Sequence, residues 1–338
     1  MKFPETNNPI YNEFFSKSNL EAKVENTIWR GHPSKNSFCF INPKVKYKER
    51  EDVVLNKLKE VFNIKSDSFK KKFKMAISGD GQEVKRISTL HSSSLAALLL
   101  LYSVAKDKIL KCTLDGKDYT FNDCYFEVKT NVKGSHFSNM DVVLIGKNLE
   151  DKDVIFFLES KFGEYFNTGM CNNISLDYKD KYEKLGLSYN NEAIPGLRFE
   201  IGKGTDNNDC MQIKSDTPHY CSGIKQMISH FIGVTNFATN GAKAMDSTQE
   251  EQPFYHELAN MQKNEGTEII LGEVLFDFSD KISKGKTILN NYSTIYEALA
   301  KVLSAHTSKL YVLPKILTYQ ELLKDFELDK KVKDFYQL

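Results

Sequence analysis

Met140-Asp-Val-Val-Leu-Ile145, nine further residues, and then Ile155-Phe-Phe-Leu-Glu-Ser-Lys161 is the stretch whose reading decides the fold. Side chains alternate across a strand, so Glu159 and Lys161 share a face with Ile155 and Phe157, while Phe156, Leu158, Ser160 and Phe162 face the other way. Both faces are apolar almost to the strand's end, which predicts an interior strand of a covered sheet. Asp141 opens the neighbouring apolar run Val142-Val143-Leu144-Ile145. A hairpin from Gly146 to Asp153 would carry its carboxylate beside Glu159. Two carboxylates so placed repel unless a proton or cation lies between them. A hard divalent cation with oxygen ligands is the expected occupant.

Glu-x-Lys by itself is weak. It occurs at Glu21/Lys23, Glu83/Lys85, Glu127/Lys129, Glu150/Lys152 and Glu159/Lys161, and only the last follows a five-residue apolar run with an acid at the mouth of the preceding strand. The alternative is a cross-strand ion pair on a half-exposed sheet, worth little to stability.

Asp141 followed by Glu159-Ser160-Lys161 resembles motifs II and III of the PD-(D/E)xK nuclease superfamily, with Met140 where the aspartate is usually preceded by proline. Gly79-Asp80-Gly81-Gln82-Glu83, His91-Ser92-Ser93-Ser94, and Tyr220 through Gly223-Ile224-Lys225-Gln226 to His230 fit the same resemblance. Together they look like an uncharacterised restriction-endonuclease branch found in bacteria, over about residues 75–278. The resemblance implies an α/β fold with a restriction-endonuclease-like core, a central mixed β-sheet flanked by helices. Its implied cofactor is Mg²⁺, with Mn²⁺ able to substitute.

Asp141, Glu159 and the Ser160 backbone carbonyl are the expected ligands. Mg²⁺ keeps several waters and takes only one or two carboxylates, which suits so sparse a set. Lys161 would steer or deprotonate the attacking water, or neutralise charge growing on the phosphate. A third acid is expected upstream. Glu83, heading a helix with Ile87 and Leu90 one and two turns on, is preferred by analogy over Glu127 in Tyr125-Phe126-Glu127-Val128. Gln226 and His230 lie one helical turn apart, and the resemblance gives the glutamine a part in holding the site. The alternative is one buried, satisfied polar residue on a packed helix. His91 before three serines suits a helix N-cap region. A Ser-His hydrolase lacks its nucleophile elbow, and a thiol protease built on Cys221, His219 and His230 lacks any local signature.

With 338 residues, 41% hydrophobic and 27% charged, the chain can bury a large core and reads as a soluble globular protein. The longest apolar stretch, Leu95 to Ala105, is too short to span a bilayer, and Met1 to Tyr11 is too polar for a signal peptide. A cytoplasmic protein with no membrane partner is expected. Six cysteines without paired spacing read as reduced thiols. A net charge of +1 does not advertise nucleic acid. Two basic clusters, Lys44/Lys46/Lys48/Arg50 and Lys70/Lys71/Lys72/Lys74, could line phosphates or simply be solvated. The resemblance implies nucleic acid as partner, double-stranded DNA first, and a homodimer as the assembly such enzymes often use, although no segment announces an isologous interface.

Residues 1–75 are expected to form an N-terminal extension packed on the core, and 76–338 the nuclease-like domain, with an insertion at about 165–218 beside the site. Periodicity predicts a helix within Asp52 to Lys74 followed by a basic segment, a helix over Ser92 to Ala105, and strands over Lys111 to Leu114, Asp118 to Lys129, Asp141 to Ile145 and Val154 to Phe162. A helix over Cys221 to Thr235, a strand over Glu268 to Phe278 interrupted by Gly272, a helix over Tyr292 to Ala305, a strand over Lys309 to Leu317 and charged helices over Glu321 to Phe335 follow. The function expected is metal-dependent hydrolysis of nucleic-acid phosphodiesters, by a DNA endonuclease of restriction or defence type. The alternatives are a nucleic-acid-binding protein on the same scaffold that no longer cleaves, and a metal-dependent hydrolase of a small substrate.

Overall fold

The structure, a computed structural model, describes residues 13–14, 25–28, 36–39, 50–78, 87, 92–166, 172–187, 194–204, 207–215 and 221–338. Its centre is a seven-stranded mixed sheet flanked by helices. A small antiparallel pair, β1 (Glu25–Ile28) and β2 (Asn36–Cys39), precedes it. The sheet begins with β3 (Leu110–Leu114), β4 (Lys117–Lys133), β5 (His136–Asn148) and β6 (Asp153–Lys161), each antiparallel to the one before. Asp115 and Gly116, both at positive φ, make the first turn.

Val154, Ile155, Phe156, Phe157 and Leu158 of β6 are all fully buried, as an interior strand requires. Each such side chain contributes roughly 1.5–3 kcal/mol over leaving it in water. On the far side of β6 from β5, β10 (Glu268–Leu275) runs parallel to it. Gly272 does not interrupt this strand. It lets the backbone pass close to other side chains, since a Cβ there would lie 2.7 Å from Leu313 and 3.1 Å from Phe156.

Two helical layers cover the sheet. After α1 (Arg50–Phe62), which packs its Phe62 on Phe335, α2 (Asp67–Ala76) and α3 (Ser93–Leu101) lie on one face, α2 against β4 and α3 against β5 and β6. The sequence predicts one helix and then a basic segment here; the structure has two helices. Asn63 adopts φ 54°, and the Ser66 side chain accepts from Ser68 N–H to start the second. In α3, Leu95 through Leu101 are at most 1% exposed, so this helix is buried all round, and its N-cap is Ser92, accepting from Leu95 N–H.

On the opposite face lie α5 (Cys221–Asn240) and α7 (Gly285–Ser304), both longer than their apolar periodicity suggests. The region after β6, expected as a weakly patterned insertion, carries its own antiparallel sheet. Strand β9 (Asp209–Ser215) sits between β7 (Asn172–Ser175) and β8 (Leu197–Lys203), with α4 (Lys179–Lys184) in the chain between β7 and β8. Ile174, Phe199, Met211 and Ile213 bury one side of it.

After α5, α6 (Pro253–Lys263) leads into β10. The expected late strand is instead two short ones, β11 (Tyr311–Val312) and β12 (Leu317–Thr318), both parallel to β10. The charged tail forms α8 (Tyr319–Leu322), held by a capping box between Thr318 and Glu321, and α9 (Lys330–Tyr336). Val332, Phe335 and Tyr336 of α9 are buried, so this end of the chain is core and not a solvated appendage.

Candidate functional site

Strands β5 and β6 part company at one level of the sheet, and the polar residues collect there. Their backbone ladder runs from Lys147↔Asp153 to Val142↔Leu158 and stops. One residue further on, the Asp141 side chain replaces the strand: its Oδ2 accepts the Ser160 N–H at 2.8 Å. Beyond that point β6 stays paired with β10 through Lys161↔Leu275, while β5 stays with β4. The β4–β5 ladder also skips this level, passing from Phe126↔Val142 to Val128↔Met140. Glu127 there adopts φ 54°, a conformation that non-glycine residues avoid unless held. The buried Gln249 amide holds it, donating to the Glu127 carbonyl at 2.7 Å and accepting from Lys129 N–H at 2.9 Å.

Continuing these registers puts Glu127, Asp141, Glu159 and Glu273 at one level on four successive strands, with Glu159 and Glu273 directly paired. Glu127, Glu159 and Glu273 are buried, and Asp141 keeps some exposure. Lys161 is buried as well, which excludes the half-exposed surface ion pair. Its ammonium donates to Glu159 Oε1 and, at 2.8 Å, to Gln226 Oε1 on α5. One turn further along α5, His230 Nε2 lies 2.7 Å from Glu159 Oε2. An ionised carboxylate only accepts, so Nε2 carries the proton. The other ring nitrogen meets the Ser138 hydroxyl. Both oxygens of Glu159 are therefore engaged, one by an amine and one by an imidazole.

The electrostatics follow from this crowding. Burial, then the Glu159 and Glu127 charges, push the Asp141 carboxyl well above its usual range, against the opposing pull of Lys161 and the Ser160 N–H. Glu159 is driven the other way. Burial alone would raise it, but the Lys161 and His230 neighbours overcome burial and hold it ionised. Burial pushes Glu273 up to about 8, tempered by the Lys161 charge and reinforced by that of Glu159. Neither Glu273 oxygen makes a hydrogen bond of ordinary geometry, although the Tyr292 hydroxyl of α7 acts on it.

Asp141, Glu159, Lys161, Ser160 and Gln226 are thus brought together. Of the two candidates for a third acid, Glu127 lies at the level of Asp141 and acts on it. Glu83 falls outside the described residues, as do Asp80, His91, His219 and Tyr220. In the basic cluster on α2, Lys72 points inward to Asp123 and the Cys124 carbonyl, leaving Lys70, Lys71 and Lys74 exposed; Lys44, Lys46 and Lys48 lie outside the described residues. Cys112, Cys124 and Cys210 are free thiols.

Glu273, Ser138 and Gln249 escape the sequence reading. Glu273 had a partial signal, an acid inside the otherwise apolar run Ile269-Ile270-Leu271-Gly272-Glu273-Val274-Leu275, but without the lysine two residues on that marks Glu159. Ser138 and Gln249 had none, because only the fold brings them to His230 and to the β4 backbone. Among the described residues no three His, Cys, Asp or Glu side chains converge into a ready-made metal cage, and no helix is long and apolar enough to cross a membrane. Compared with protein families, curated proteins and solved structures, the chain matches none.

Proposed function

We propose that this protein is a divalent-cation-dependent nuclease with a restriction-endonuclease-like core, hydrolysing phosphodiester bonds of nucleic acid, double-stranded DNA first. One observation carries the reading. Where β5 leaves β6, Asp141, held above its usual range, lies at the level of an ionised Glu159 tied to a buried Lys161.

The donor set fits a hard cation. Asp141 sits among acids whose repulsion a cation would relieve, and two carboxylates plus the Ser160 carbonyl are the sparse oxygen set that Mg²⁺ or Mn²⁺ accepts. Glu127, or Glu83 outside the described residues, would add a further oxygen. Such a cation supplies an acidified water and neutralises phosphate charge. The chain's own groups do the remaining work. Lys161, its ammonium aimed by Gln226, offsets negative charge building on the phosphate and orients the attacking water. His230 fixes the rotation of the Glu159 carboxylate.

Replacing Asp141 or Lys161 by alanine is expected to abolish Mg²⁺-stimulated cleavage of duplex DNA in folded protein; undiminished cleavage by both variants would overturn the roles. The closure of both Glu159 oxygens by Lys161 and His230 favours a second reading, a scaffold that binds nucleic acid without cutting. Calorimetric titration with Mn²⁺ separates the two, since wild type should bind and Glu159→Gln should not. A small-molecule hydrolase differs in salt response. Duplex affinity falls steeply as salt rises because bound counterions are released, and affinity for a small substrate does not.

A further inference from the structure

Resting on the cation reading, we propose that Glu273 is a positioning residue, a second seat that receives the Lys161 ammonium when a cation takes its place at Glu159. Each Glu159 oxygen already has a partner, Lys161 on one and His230 on the other, so a cation arriving there meets an ammonium on the same carboxylate and is repelled by it. His230 is anchored on its far side by Ser138, whereas Lys161 ends a flexible four-carbon stem. The ammonium is the group able to move.

Its destination is set by the register. Glu273 pairs directly with Glu159 across parallel strands, and Lys161 pairs with Leu275. Lys161 and Glu273 are therefore diagonal neighbours on one face, a separation that long side chains bridge. The Glu273 carboxyl is 0% exposed and neither oxygen makes a hydrogen bond of ordinary geometry, so any cation it attracts comes from within the protein. The ionisable groups around it are Glu159, Lys161 and Glu164 near the end of β6 and Tyr292 and Tyr296 on α7, with His230 on α5 beyond Glu159. Lys161 is the one permanent cation of that set. Gln226 Oε1 can follow the ammonium between the two seats, because one neutral acceptor serves either position. Glu273 gives up its carboxyl proton as the ammonium arrives, so one ion pair is exchanged for another and one proton is released.

A double-mutant cycle read by Mn²⁺ calorimetry tests it. Glu273→Gln keeps the shape but cannot ionise to receive the ammonium, and should weaken Mn²⁺ binding by about 10-fold or more, as loss of groups that position a metal's ligands does. In a Lys161→Met background no ammonium has to be rehoused. There Glu273→Gln should change affinity by less than about twofold if, as proposed, the whole effect runs through Lys161.

Equal Mn²⁺ affinity for wild type and Glu273→Gln would overturn the proposal, and so would an equal loss in both backgrounds, which would mark Glu273 as structural. Failure of wild type to bind Mn²⁺ would instead bring down the cation reading itself. A measurement on wild type stands apart from any folding defect of the variants. The lysine Nζ resonance that disappears in Lys161→Met should shift on saturation with Mg²⁺, and an unmoved resonance would overturn the transfer.

Discussion

Asp141 is placed where an aspartate is costly without company. Its carboxyl is raised by burial and by the neighbouring Glu159 and Glu127, so the folded protein is under electrostatic stress at that point. Asp141→Asn should relieve the stress, leaving thermal stability in the absence of metal unchanged or higher while Mg²⁺-stimulated cleavage disappears; a marked fall in melting temperature would mean that the carboxylate is structural. Glu273 gives a dependence on pH with a definite sign. Its folded value is raised from 4.5 to about 8, so the native state keeps a proton that the unfolded chain has lost. Stability therefore falls as pH climbs through that window, by a few kcal/mol, and the full penalty is present above it. Glu159, held low, contributes in the opposite sense and loses its contribution as pH falls. Urea midpoints of wild type and Glu273→Gln between pH 5 and 9 should diverge toward alkaline pH, with the variant the more stable; parallel curves would exclude the raised value.

Among the elements, β4 and β6 show how differently strands carry information. The run Val154 to Leu158 states its own burial, because unbroken apolar character on both faces has few other outcomes. The irregularity at Glu127 cannot be read locally. It exists because Gln249, more than 120 residues later in the chain, spans the backbone on either side of Val128. Gln249→Leu removes both bonds and leaves a buried carbonyl and N–H unmet, a loss of about 2 kcal/mol. Guanidinium unfolding should show that loss, and calorimetry should show weakened Mn²⁺ binding if Glu127 reaches the cation. The three-stranded sheet after β6 was illegible for a related reason. Its strands are short, the segments that join them are rich in Asn, Asp and Gly, and only mutual pairing makes them strands.

At the scale of the whole molecule, one continuous core ties the ends of the chain to the site strands. Phe335 of α9 meets Phe62 of α1 with ring centroids 5.4 Å apart, and Tyr336 meets Phe162 at 5.5 Å and Phe276 at 5.8 Å, just past the ends of β6 and β10. Ending the chain at Asp329 removes Val332, Phe335 and Tyr336, all buried, a loss on the order of 5 kcal/mol at roughly 1.5–3 kcal/mol per side chain. The shortened protein should have lost cooperative unfolding, judged by circular dichroism on heating; a native-like transition would show α9 to be dispensable. A net charge of +1 also means that any duplex binding depends on local patches, with Lys70, Lys71 and Lys74 exposed on α2.

The α/β class, the interior strand and the neighbourhood of Asp141, Glu159 and Lys161 were written in the sequence by itself, because apolar periodicity and an acid at a strand mouth are local properties with local consequences. The strand split that opens a site beside them, the Glu273 seat, the His230 to Ser138 contact and the Gln249 clamp were decided only in three dimensions. Each joins residues far apart in the chain through cross-strand register and helix docking. Those are properties of the assembled sheet, and no single segment carries them.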